Sequence, residues 1–437
     1  MSNKSFRTRL KHLSDQLVLL QKPILILDAI KWPTSIQNTF INSKKPVLPK
    51  IDENYYRNLP LNFNPETQAQ AFRDLKVTVK KQLGVDNKLG KILLRTIDQY
   101  ILVIDLLQNR GKPAFMEYSR LLYGSASDHL YGDKKSLIDL GERLCHIFSL
   151  PAVKHLARPY PKNIAANDAV DILSHKLQAY FPDENFHVLL SDGIVSDASA
   201  GGDGIKINSG AKFSTLDLQV LEVHEGWVHV GTTLNGRRQK WASWLSVGSP
   251  RITSTQEGLA ILIETLTFSS FPGRAKRISD RVVAINMAEQ GANFLEIYQY
   301  FLDSGLNKSD SFVIAQRTFR GGNVKGGACF TKDLSYVKGF IETVNFIKSA
   351  ILSGVPELLP MLFLGKVTLE DIPVLYEYML EGIIASPKYL PPMFQDLNGL
   401  YTWFGFSSGM SHIDLVKVQK HFEKEFQGLP VSSPVIT

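Results

Sequence analysis

The residues best suited to chemistry form one short string, His224-Glu225-Gly226-Trp227-Val228-His229, and a further carboxylate, Glu257, lies 28 residues beyond it. Two imidazoles and a carboxylate are a donor set that suits zinc, and a glutamate beside a helical histidine is placed to act as general base. The familiar spacing of such histidines is four residues, which leaves the rings ~40° apart around the helix axis. Here the spacing is five. In an ideal α-helix that separates the rings by ~140°, too far to share an ion. One turn of π-helix, at ~4.4 residues per turn, restores ~50°, and such turns concentrate at functional sites. The string therefore predicts a local π-bulge between His224 and His229, eased by Gly226 inside the interval.

The elements that must position these groups are legible nearby. Ser214-Thr-Leu-Asp217 has the form of a helix N-cap with an acidic residue three positions on, and Leu216, Val220 and Val223 give the helix an inner face. Thr253-Ser-Thr-Gln-Glu257 opens a second helix with Glu257 in its early turns, the place from which a third ligand is usually supplied. Three protein ligands leave the fourth position open, as catalysis requires. Glu264, seven residues beyond Glu257 on nearly the same face, suits a partner that orients a histidine. Taken alone the string is short, and a pair of surface histidines beside an ordinary glutamate is its bland alternative.

Farther out, the pattern is helical. Residues 1 to about 60 read as a short helix and then an extended segment punctuated by Pro33, Pro46, Pro49 and Pro60. Helices are predicted over 66–83, 89–108, 137–147 and 169–179 from apolar residues at three- and four-residue spacing. The period then changes: short strands are predicted at 186–190 and 204–207, with a third possible at 194–198. Helix returns after Ser214 and runs to about Phe422, broken by loops at 247–250, 321–327 and 386–392, and the tail PVSSPVIT is expected to fray. No internal repeat is found. The expected fold class is α+β and predominantly α-helical, a zinc-peptidase-like region with a small antiparallel sheet beside the metal-binding helix. The expected division is a helical N-terminal region, 1–160, and a catalytic region, 161–437.

Composition narrows the function. The 437 residues are 44% apolar and 21% charged, as in ordinary globular proteins. The net charge of +7 is spread over short clusters such as Lys80-Lys81 and Arg237-Arg238, so no nucleic-acid partner is expected. The first residues lack a continuous apolar run and no stretch is long enough to span a bilayer, which predicts a cytoplasmic protein without a membrane partner. Cys145 and Cys329 are far apart and lack metal-binding spacing, in keeping with a reducing compartment.

The strings HEGWVH, TSTQEGLA and FTKDLSYVKG, together with Leu122-Tyr-Gly124 and Arg320-Gly-Gly322, resemble the bacterial proteins named for a QEGLA motif and for modulating flavohemoglobin expression. That family is similar to the microtubule-associated tyrosine carboxypeptidases, which remove a C-terminal tyrosine from tubulin, and the likeness spans most of the chain. The resemblance implies that His224, His229 and Glu257 bind Zn2+ and that Glu225 is the base. It implies a carboxypeptidase acting on the C-terminal aromatic or bulky residue of a peptide or protein tail. For such chemistry Tyr336 is the expected oxyanion donor, and Arg320, then Arg251 and Lys325, are expected to hold the substrate carboxylate. The strands near Val188 and Lys206–Asn208 are expected to offer an edge to an extended peptide. Two alternatives stand: a zinc endopeptidase or aminopeptidase, and a regulatory protein with a metal but no turnover.

Overall fold

Apolar residues at helical spacing build most of the molecule. The computed structural model describes residues 3–150, 153, 156, 160–192, 194, 196–201 and 204–427. Helix α1 (Asn3–Gln21) leads into three short helices, Ile26–Ala29, Thr34–Asn42 and Glu53–Arg57. The prolines limit these to short pieces, and the nine-residue helix at Thr34 starts directly after Pro33, where a fixed φ favours a first turn. Helix α2 (Pro65–Leu83) starts under an Asn64 cap and buries Leu75 and Val79. Helix α3 (Lys88–Gln108) buries Leu93, Ile97 and Ile104, the stripe expected from the sequence. Helices α4 (Ala114–Tyr123) and α5 (Leu137–Phe148) complete this part.

The strands come next. Strand β1 (Ile164–Ala165) leads into α6 (Ala166–Tyr180), followed by β2 (His187–Ser191), β3 (Ala198–Gly201), β4 (Gly204–Asn208) and β5 (Lys212–Phe213). Strands β1 and β5 pair antiparallel, and the larger sheet has the order β2-β4-β3. This sheet is mixed where an antiparallel one was expected. Strand β4 inserts between its two predecessors, so it pairs antiparallel with β3 and parallel with β2. The third strand falls at Ala198–Gly201, a little later than the sequence suggested. Lys206–Asn208 lies on the central strand, so the peptide edge expected there is already paired on both sides. Strand β3 is the edge that lies against the helix bearing His224.

That helix starts as α7 (Thr215–Leu221), continues as a π-helical segment (Glu222–Val230) and ends as α8 (Gly231–Arg237). It is followed by α9 (Thr253–Leu266), α10 (Pro272–Glu289), α11 (Phe294–Asp303), α12 (Lys308–Phe319), α13 (Ser335–Leu352), α14 (Asn398–Met410) and α15 (Leu415–Glu425). The protein is 66% helical with its strands in two small sheets, the α+β class expected. One core joins α1–α4 to the helices after Val223, and a smaller one lies between α6, the sheet, Val230 and Leu234. Among the described residues no helix is long and apolar enough to cross a membrane. The tail expected to fray, Pro430 to Thr437, lies outside the described residues.

The most extensively packed pair of elements is α9 with α13. A Cβ on Gly258 would lie 2.0 Å from the Gly339 carbonyl carbon, and one on Gly339 would lie 1.9 Å from the Ser254 carbonyl oxygen. The two helices therefore touch backbone to backbone. Glycine is required at both places, which accounts for the glycines inside the EGLA and YVKG strings.

Candidate metal centre

Helix α7 is fixed at its start by a capping box. The Ser214 hydroxyl accepts from Asp217 N–H at 3.1 Å and the Asp217 carboxylate accepts from Ser214 N–H at 2.9 Å. From Glu222 the helix widens into the π-turns predicted from the histidine spacing, and Gly231 N–H bonds back to Gly226 O, five residues earlier. Widening leaves carbonyls in need of new donors. Val228 O accepts from the Thr232 hydroxyl at 2.6 Å, and His229 O accepts from the Thr233 hydroxyl at 2.8 Å and from Lys366 Nζ at 2.9 Å. Gly226 has a packing role as well, since a Cβ there would meet Leu177 of α6 at 2.2 Å.

The π-turn brings His224 and His229 together, with ring centroids 4.8 Å apart and planes at 88°. Glu257, from the start of α9, meets them: its Oε2 lies 3.4 Å from His224 Nε2 and 3.7 Å from His229 Nε2. These three residues form the group that could hold a metal ion, with their donor atoms within 4.8 Å of one another. A tetrahedral ion with bonds of ~2.1 Å has ligands ~3.4 Å apart, so the spacing fits. Glu257 Oε2 is buried without a hydrogen-bond partner, which an ion between it and the imidazoles would supply. Charge points the same way. Burial alone lowers the proton affinity of His224, yet Glu257 and Glu264 push its pKa up to about 10, so that ring faces a negatively charged surrounding.

A family model described as microtubule-associated tyrosine carboxypeptidase matches residues 38–412. The chain belongs to that family. Among curated proteins none matches it. Family membership implies a carboxypeptidase, and the match covers both histidines, Glu225 and Glu257.

In this tyrosine-carboxypeptidase family member each imidazole is oriented through its second nitrogen. His224 Nδ1 donates to Glu264 Oε1 at 2.6 Å, the partner expected from the sequence, and Arg274 grips both Glu264 oxygens at 2.6 Å. Burial raises the Glu264 pKa, but Arg274 and His224 outweigh it and hold it at about 2. His229 Nδ1 lies 3.4 Å from Gln256 Oε1, which also accepts from Thr232 at 2.9 Å and Lys366 at 2.9 Å. One ring thus leans on a charged pair and the other on a lysine-fixed amide. Burial drives the Lys366 pKa down to about 7 against the pull of Glu225 and Glu257. Glu225 Oε2 accepts from Ala200 N–H of β3 at 2.7 Å, so the edge strand aims the expected base.

The residues expected to touch substrate are dispersed. Tyr336, on the first turn of α13, is the near one: the Arg281 guanidinium lies 4.4 Å and Lys332 Nζ 5.7 Å from its ring centroid, and Lys332 Nζ is 3.4 Å from Glu257 Oε1. Arg320 is buried in the adjacent cluster, over Phe330 and 3.8 Å from Asp333, whose main partner is Arg317. Arg251 is committed to Asp371 through two bonds, at 2.9 and 3.1 Å, and Lys325 is exposed on the glycine-rich turn. Gln256, Arg274, Arg281, Lys332 and Lys366 were not singled out from sequence. Gln256 carried a signal, adjacency to Glu257 within the QEGLA string, and Lys332 stands in the FTKDLSYVKG string, whereas Arg274, Arg281 and Lys366 carried none.

Proposed function

We propose that the protein is a zinc-dependent carboxypeptidase that removes an aromatic or other bulky residue from the C-terminus of a peptide or protein tail. The observation that carries the proposal is the convergence of His224 Nε2, His229 Nε2 and an otherwise unpartnered Glu257 Oε2. His224, His229 and Glu257 would hold the ion, which supplies Lewis acidity toward a carbonyl oxygen and acidifies water. Glu225, with one oxygen kept by Ala200 N–H, offers the other to take a proton from water and deliver it to the leaving amine. Tyr336 is proposed to donate its phenol to the developing oxyanion, its ring contacted by the Arg281 and Lys332 cations.

The terminal carboxylate is best received by Arg281. Its side chain is 19% exposed, more than that of Arg320 at 9% or Arg251 at 11%, and its Nη1, like Nε and Nη2 of Arg320, has no hydrogen-bond partner. Arg317 holds Asp333 through two bonds, whereas Arg281 and Arg320 each stand 3.8 Å from it, so both have guanidinium nitrogens to spare and Arg281 is the more exposed of the two. Strand β3, beside the metal helix and tied to Glu225, is the edge along which an extended tail would lie.

The test is one peptide with three ends: free, C-terminally amidated, and N-terminally blocked. Release of the last residue from the free and N-blocked forms but not from the amide supports the proposal. Cleavage of the amide at the same rate points to the endopeptidase, a requirement for a free N-terminus points to the aminopeptidase, and no cleavage by zinc-loaded protein points to a metal site without turnover.

A further inference from the structure

Two C-terminal helices carry an apolar surface that this chain does not cover. Helix α14 is anchored by buried Leu400 and Phe404 and packs against α13. Its outer side forms a groove lined by Tyr401, Gly405, Phe406, Gly409, Met410 and, beyond its end, Ile413. Helix α15 follows after a four-residue turn and buries none of its residues. Leu415, Val418, Phe422 and Phe426, at intervals of three and four, form a ridge on one side of α15, and Lys417, Lys420 and Lys424 lie on the opposite side. An 11-residue helix is marginal alone in water, so a surface that packs the ridge is what would keep α15 helical.

We infer that the occupant is a second copy of this chain: the α15 ridge of each copy seats in the α14 groove of the other about a two-fold axis. Both halves of a self-complementary contact, groove and ridge, sit on two consecutive helices of the same chain, as an isologous interface requires. The area is sufficient. Tyr401, Phe406, Met410, Ile413, Leu415, Phe422 and Phe426 are 46% to 71% exposed. At ~100 Å² each they offer ~700 Å² per copy, close to the ~800 Å² per partner of a stable interface. The floor of the groove is shaped for a helix: a Cβ on Gly405 or Gly409 would meet nothing within 4 Å. Inside the chain the glycines at 258 and 339 serve a backbone contact between helices, and the two in the groove have no such internal reason. A bilayer surface has no need of that close approach.

The experiment is light scattering coupled to size exclusion on the full chain, with two variants. The wild type is expected at twice the 49.0 kDa of one chain. Gly405→Leu projects into the groove from a position where a Cβ meets nothing of its own subunit within 4 Å and improves helix propensity, so it should keep the fold and raise the dimer dissociation constant at least ~30-fold. Phe422→Asp, from the ridge, should do the same, with circular dichroism and melting temperature of both variants at wild-type values. A monomeric wild type overturns the inference, as does a dimer that survives both substitutions. So does a monomeric wild type that sediments with vesicles of anionic phospholipid and loses that binding in Phe422→Asp, which would assign the surface to a membrane.

Discussion

At the scale of single residues, the site is decided by which nitrogen of each imidazole is free. Glu264 occupies His224 Nδ1 and the Gln256 oxygen lies beside His229 Nδ1, so both Nε2 atoms face Glu257. The Gln256 oxygen faces His229 because Lys366 and Thr232 both donate to it. Lys366→Met removes one of the two donors that fix this amide and one of those on the His229 carbonyl. It should weaken zinc ~10- to 100-fold in competition with a chromophoric chelator, the usual effect of losing an outer partner. Lys366→Arg, which keeps the charge and donors, should recover part of that loss. Unchanged affinity in Lys366→Met would show that the lysine serves packing alone. The two histidines, Glu225 and Glu257 were legible as a candidate site because they stand in two short strings. Lys366 was not: it is separated from His229 by 137 positions and reaches the site only through the fold. Arg281 was hidden in the same way, as one of several arginines on α10 with nothing in its spacing to mark it.

At the scale of elements, two local distortions bring the groups into one place. The first is the π-segment, which the five-residue histidine spacing demanded and the structure contains. The second is the glycine crossing of α9 and α13, which holds the helix bearing Glu257 against the helix bearing Tyr336. Gly339→Ala pushes a methyl into the Ser254 carbonyl, so it should cost ~1–3 kcal/mol by denaturant unfolding, as overpacked cores do. Because α9 must shift to admit it, zinc affinity should fall as well. A fully stable variant with normal affinity would mean the crossing has slack. Most helices were readable from their apolar stripes, as at Leu93, Ile97 and Ile104 of α3. The sheet was less so. Strand directions depend on where β4 inserts, a tertiary choice that alternation within β2 or β4 does not carry. Two-residue strands such as β1 and β5 are too short to carry a period at all.

At the scale of the whole molecule, the site sits where the two cores meet. Val223 and Val228 of the π-segment belong to the large helical core and Val230 to the smaller one beside the sheet. An ion held by this segment and α9 therefore braces both, and its removal should be felt globally. With free zinc at a hundredfold excess over Kd, binding adds ~2.7 kcal/mol to the folded state. Chelation should accordingly lower the melting temperature by a few degrees, and readdition should restore it. An unaltered melt would dissociate the centre from the stability of the fold. The central claim is that the convergent histidines and Glu257 serve hydrolysis, with Glu225 as the base. It is tested most directly by mass spectrometry of a peptide ending in tyrosine, incubated with zinc-loaded wild type and with Glu225→Gln of measured, equal zinc content. The account predicts loss of the terminal residue with the wild type and a rate at least ~100-fold lower with the variant, the least that removal of a general base costs. Equal release by both proteins, or none by the zinc-loaded wild type across peptides with different terminal residues, would contradict it.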